Sequence, residues 1–73
     1  MEWIHDEDRT ECWENGRMLA SVHPIRTTAP GPTGWEVVIY RPKPAGGFQY
    51  FIEHYRTHAL AMAAARTAVQ VYY

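Results

Sequence analysis

The apolar positions of this chain cluster in short runs with strand character, followed by one long run with helical spacing. Trp35–Arg41 reads Trp-Glu-Val-Val-Ile-Tyr-Arg and Phe48–Tyr55 reads Phe-Gln-Tyr-Phe-Ile-Glu-His-Tyr. Both are rich in β-branched and aromatic residues, which fit a pleated surface. The segment between them, Arg-Pro-Lys-Pro-Ala-Gly-Gly, favours a loop, so the two runs are expected to pair as a hairpin. Upstream, Asn15-Gly16 suits the two positive φ values of a type I′ turn. A tight turn there sets Glu14 opposite Arg17, Trp13 opposite Met18, Cys12 opposite Leu19 and Glu11 opposite Ala20. Trp13, Met18, Ala20 and Val22 would then share a face. A competing reading caps a short helix over 9–14 with Asp8 and ends it at Gly16; Trp, Cys and Thr are poor helix formers, which favours the hairpin.

Pro24–Gly34 holds three prolines and two glycines and predicts a loop. Thr57 is a suitable N-cap for the alanine-rich stretch that follows. At about 100° per residue, Leu60, Ala61, Ala64, Ala65, Ala68 and Tyr72 gather on one arc, and Arg66, Thr67 and Gln70 lie opposite. Small side chains on that arc let a helix lie close to a sheet. The expected fold class is α+β: a three- or four-stranded antiparallel sheet with one C-terminal helix packed on one face. Residues 1–9 read as an acidic N-terminal arm, with Trp3 and Ile4 able to pin it to the body or form a short edge strand, and residues 10–73 as a single domain.

Charge sharpens the picture of the arm. Residues 1–14 carry six acids and one base, a net −5, whereas residues 15–73 carry two acids and six bases, a net +4. A chain of 73 residues with one cysteine cannot staple itself with a disulfide. Lacking an N-terminal apolar leader or a long apolar run, it is expected to be cytoplasmic and to have no membrane partner.

The residues that could carry chemistry do not converge in the sequence. His54 and His58 are four apart, a ligand spacing within a helix, but they straddle a strand-to-helix junction. His5, His23 and Cys12 fall on different elements. Glu36 and Glu53 lie mid-strand and could face each other as a carboxylate pair. No phosphate-binding glycine loop is present. The expectation is no catalytic residue, no metal site and no cofactor, hence not an enzyme.

Alternation raises a different question. In Trp35–Tyr40 one face takes Trp35, Val37 and Ile39, and the other takes Glu36, Val38 and Tyr40. Phe48–Tyr55 is likewise apolar on both faces. One helix covers one face of a small sheet, so an aromatic surface is expected to remain open unless the arm folds across it. The residues expected at a protein interface are Trp35, Tyr40, Tyr50, Phe51, Tyr55, Met62, Val69, Tyr72 and Tyr73, types enriched at interface centres. Surplus apolar surface around Met62, Val69, Tyr72 and Tyr73 also predicts a homodimer. Arg26, Arg41, Lys43 and Arg56 could contact an acidic partner or nucleic acid.

In the order of its elements (Asn15-Gly16 hairpin, Trp35–Arg41, Phe48–Tyr55, helix from Thr57) the chain resembles small phage- or mobile-element-encoded proteins, anti-CRISPR proteins among them. That resemblance implies a non-enzymatic protein-binding module that inhibits a larger host complex. The layout is also similar to the sheet-plus-helix arm-binding domains of tyrosine recombinases, which place a sheet in a DNA groove. The alternative is therefore a small nucleic-acid-binding domain using its sheet and basic loops.

Overall fold

A computed structural model describes residues 1–25 and 34–73. Five strands, β1 (Glu2–Asp6), β2 (Arg9–Glu14), β3 (Arg17–Pro24), β4 (Trp35–Pro42) and β5 (Phe48–Tyr55), form one antiparallel meander in chain order. One helix, α1 (His58–Tyr72), follows. The class is α+β as expected, but the sheet has five strands rather than three or four. The extra strand is β1. Trp3 and Ile4 do not fold across the open face; they pair with Cys12 and Glu11 and extend the sheet sideways. Residues 9–14 are strand, not helix.

The β2–β3 turn has Asn15 at φ 53° and Gly16 at φ 74°, the two positive values the dipeptide suits. Its first two pairs, Glu14–Arg17 and Trp13–Met18, match expectation. Beyond them the register shifts: Cys12 faces Ala20 and Glu11 faces Ser21. Leu19 is the extra residue of a bulge. Consecutive Leu19 and Ala20 consequently both enter the core, which a regular strand forbids. The expected shared face for Trp13, Met18, Ala20 and Val22 is therefore divided. Ala20 and Val22 lie on the face of Cys12, while Trp13 and Met18 lie on the other.

The registers carry that division across the sheet. One row runs His5–Thr10–Val22–Val37–Glu53 and the next runs Ile4–Glu11–Ser21–Val38–Ile52, on opposite faces. Glu36 and Glu53 are on opposite faces too, since Glu36 aligns with His54 and Glu53 with Val37, so they form no carboxylate pair.

Thr57 caps α1 by accepting the amide of Leu60 at 3.2 Å. The helix lies over β3 and β4 and touches β5 only lightly. Its buried residues are Ala61, Met62, Ala65 and Val69. They join Cys12, Leu19, Ala20, Val22, Val37 and Ile39 in one core. The apolar arc is thus rotated from the expected one: Leu60 is exposed and Met62 and Val69 are inside. Alanines at 61 and 65 allow the close approach, and Met62 and Val69 supply the volume. Where the chain passes from β3 to β4, the Ile25 amide donates to the Gly34 carbonyl at 3.0 Å.

Candidate binding surface

Opposite the helix, the sheet has no covering layer among the described residues. This open face takes Glu2, Ile4 and Asp6 from β1, and Arg9, Glu11 and Trp13 from β2. From β4 it takes Glu36, Val38 and Tyr40, and from β5 Phe48, Tyr50, Ile52 and His54. Tyr50 is 64% exposed and Ile52 50% exposed, values that place large apolar groups in water. The rings of Tyr40 and Tyr50 pair across β4 and β5 with centroids 6.3 Å apart. The Trp13 indole donates to Glu11 at 3.1 Å, and the Arg9 guanidinium donates to the same carboxylate at 2.6 Å.

Beyond the Val38–Ile52 pair on the same face lies a polar ladder that sequence spacing did not show. His23, Glu36 and His54 align across β3, β4 and β5. Nε2 of His23 donates to one carboxylate oxygen of Glu36 at 2.6 Å, and Nε2 of His54 donates to the other at 3.0 Å. A carboxylate only accepts, so each imidazole carries its proton on Nε2. These bonds, that from His54 foremost and then that from His23, hold the Glu36 carboxyl below its ordinary value. The ladder becomes visible only once the registers of two hairpins are known. Nδ1 of His23 and the hydroxyl of Ser21 are buried with no hydrogen-bond partner among the described residues.

The residues singled out from sequence separate into three places. Tyr40 and Tyr50 are on the open face. Met62 and Val69 are in the core at 5% and 1% exposure, so they offer no surface to a partner; the helix rotates toward its bulkier flank and takes them in. Trp35, Phe51, Tyr55 and Tyr72 are on the helix side. Trp35 packs on the core and tilts against His58 with ring centroids 4.7 Å apart. Phe51 and Tyr72 both receive the Arg41 guanidinium, at 5.1 and 3.9 Å from the ring centroids. Tyr73 closes the helix end, its hydroxyl donating to the backbone carbonyl of Tyr40. Burial pushes the Tyr73 hydroxyl up from its ordinary value. The hydroxyl of Tyr55 donates to Glu53, which is the main reason its own pKa is raised.

The cations are equally dispersed. Arg41 is engaged with aromatic rings on the helix side. Lys43 belongs to the β4–β5 turn, where its amide donates to the Gly47 carbonyl at 2.9 Å. Arg56 is exposed between β5 and α1, and Arg26 lies outside the described residues. Arg17, not singled out from sequence, stacks over Phe48 at 4.8 Å.

No family model, curated protein or solved structure matches this chain. Its chemistry must be read from its own side chains. Cys12 is buried, and desolvation raises its thiol above the ordinary value, which keeps it a protonated core group. Among the described residues, no group of three His, Cys, Asp or Glu is arranged to hold a metal ion. No helix among them is long and apolar enough to cross a membrane. On the open face Phe48, Tyr50 and Ile52 lie along the β5 edge, whereas Glu2, Asp6 and Glu11 lie toward the β1 edge.

Proposed function

We propose that this chain is a non-enzymatic protein-binding module, of the kind that inhibits a larger complex, and that it binds through the open face of its sheet. The observation that carries this reading is the exposure of Phe48, Tyr50 and Ile52 together on one face of β5, beside the half-buried Tyr40 of β4. A small domain gains nothing from leaving such groups in water, and contiguous apolar patches of this kind mark interaction sites. Tyr50 is rigid and amphipathic, properties suited to the centre of an interface.

Charge specifies the partner. Glu2, Asp6, Glu11 and Glu36 stand on the open face, where Arg9 is engaged with Glu11 and Arg17 stacks over Phe48. The complementary surface is a protein with an apolar area flanked on one side by bases, since matched potentials steer encounter and fix register. A polyanion would meet carboxylates here, and nucleic-acid affinity rests on neutralising phosphates with Lys and Arg.

Affinity capture with the native chain and Tyr50→Ser tests the reading. A protein retained by the native chain should be lost with Tyr50→Ser at unchanged melting temperature, and kept with Gln70→Glu, a change on the exposed side of α1. Retention of the same protein by Tyr50→Ser would contradict it. So would micromolar binding to DNA or RNA at physiological salt, falling steeply as salt is raised.

A further inference from the structure

The two edges of the sheet are built differently. β1 is five residues long and carries Glu2 and Asp6. The N-terminal ammonium lies 3.7 Å from Glu14 at the same corner. A short, charged edge resists pairing with another strand. β5 is eight residues long, about 26 Å at the usual rise of about 3.3 Å per residue. It contains no lysine and no proline, and Glu53 is its one carboxylate. Seven of its eight residues are exposed, Tyr55 alone being half-buried. Along its outer edge every second residue turns an amide and a carbonyl outward, and among the described residues no strand pairs with them.

A groove runs beside that edge on the helix side. Because α1 sits over β3 and β4, its flank stands away from β5. Ala64, Ala68 and Tyr72 form one wall, and Phe51 and Tyr55 form part of the other. The alanines leave space that another side chain would fill. An unguarded edge next to a largely apolar groove, with Arg41 and Glu53 in its lining, fits an added strand, with backbone pairing along the edge and alternate side chains entering the groove.

We infer that the strand added to β5 is β5 of a second copy, giving a two-fold dimer with one continuous ten-stranded sheet. The sequence of β5 can pair with itself in an antiparallel register centred on Phe51. With Phe51 on the two-fold axis, Ile52 faces the partner's Tyr50, Glu53 faces the partner's Gln49 and His54 faces the partner's Phe48. Apolar residues meet on the open face, the carboxylate meets an amide, and the two Phe51 rings enter the region between the two helix flanks. A shift by four residues, which keeps every side chain on its own face, would set Glu53 against itself, and like charges directly opposite are destabilising. Phe51, Tyr72 and Arg41 therefore belong to a dimer contact built from edge and groove, not from the helix face that buries Met62 and Val69. The two open faces then join into one recognition surface of twice the width.

The inference goes beyond the proposed partner binding and fails separately from it. Residues 50 and 51 point to opposite faces, so Tyr50→Ser alters the open face without placing a charge at the groove. Sedimentation velocity at tens of micromolar should give twice the 8.5 kDa chain mass for the native protein and the single-chain mass for Phe51→Lys. Ile4→Lys, at the guarded edge, should stay dimeric. Cysteine cross-linking reads the register: Phe51→Cys should oxidise to a covalent dimer, since paired Cα atoms lie about 4.5–5.5 Å apart. Gln49→Cys should not, its symmetric copy being four residues further along. A native mass of 8.5 kDa, a Phe51→Lys variant that stays dimeric, or equal cross-linking at positions 49 and 51 would overturn the inference.

Discussion

The two faces of this sheet are made of similar residues and do different work. Toward the helix, Val22, Val37 and Ile39 are almost wholly removed from water by Ala61, Met62, Ala65 and Val69. On the other side, Ile4, Phe48, Tyr50 and Ile52 are each at least two-fifths exposed. Composition does not distinguish the faces, and hydrophobicity alone would have both buried. The difference is supply: the described residues hold one helix, and the other terminal element, β1, widens the sheet. Apolar residues on the covered face are out of water, whereas on the open face Val38 alone of the β4 and β5 aliphatics is buried, at 8% exposure.

Substitutions on the covered face should produce the largest losses. Leu19→Ala removes the largest fully buried side chain, at the bulge that feeds the core. It should cost about 3 kcal/mol, the middle of the range for such deletions, read by denaturant unfolding. Ala65→Leu tests the close approach of helix to sheet. Ala65 is wholly buried, so added methylenes must displace a packed neighbour, with an expected loss of about 2 kcal/mol in the same assay. Thr57→Ala removes the cap without touching either face and should cost about 1 kcal/mol.

Smaller still is the acid sensitivity of the open face. Glu36 is held below its ordinary value in the folded chain. Its bonds to His54 and His23 therefore stabilise the fold above the ordinary carboxylate value, and that contribution is lost as pH falls through the lower folded value. Melting temperature should drop on acidification below about pH 4.5 more in the native chain than in Glu36→Gln. Equal drops would mean that the ladder adds nothing to stability.

Much of the architecture is legible in the sequence because local signals agree with it. Asn15-Gly16 makes its turn, the β-branched runs pair, and Thr57 starts the helix. What escapes is set by tertiary geometry. The bulge at Leu19 answers the need to bury two consecutive residues, and no residue type announces it. The helix turns Met62 and Val69 inward because the sheet offers volume there, overriding the arc that alanine spacing suggested. For residues 1–9 the sequence left two alternatives, an arm pinned by Trp3 and Ile4 or a short edge strand, because five residues with two acids show little alternation; the second is what forms. At the candidate site, exposure of Tyr50 follows from alternation, since two apolar faces and one helix leave a surplus. The His23–Glu36–His54 ladder does not, because its residues are 13 and 18 apart and meet only through strand register.

The division of labour between the faces can be tested with one residue type in one sheet. Ile39 is 7% exposed beneath α1, and Ile4 is 42% exposed on the opposite face, at the edge remote from β5. Denaturant unfolding of Ile39→Ala and Ile4→Ala, compared with the native chain, measures what each face contributes to the fold. The account predicts a loss of about 3 kcal/mol for Ile39→Ala and a change within about 0.5 kcal/mol for Ile4→Ala. Comparable losses at both positions would contradict it, since the open face would then be holding the fold together.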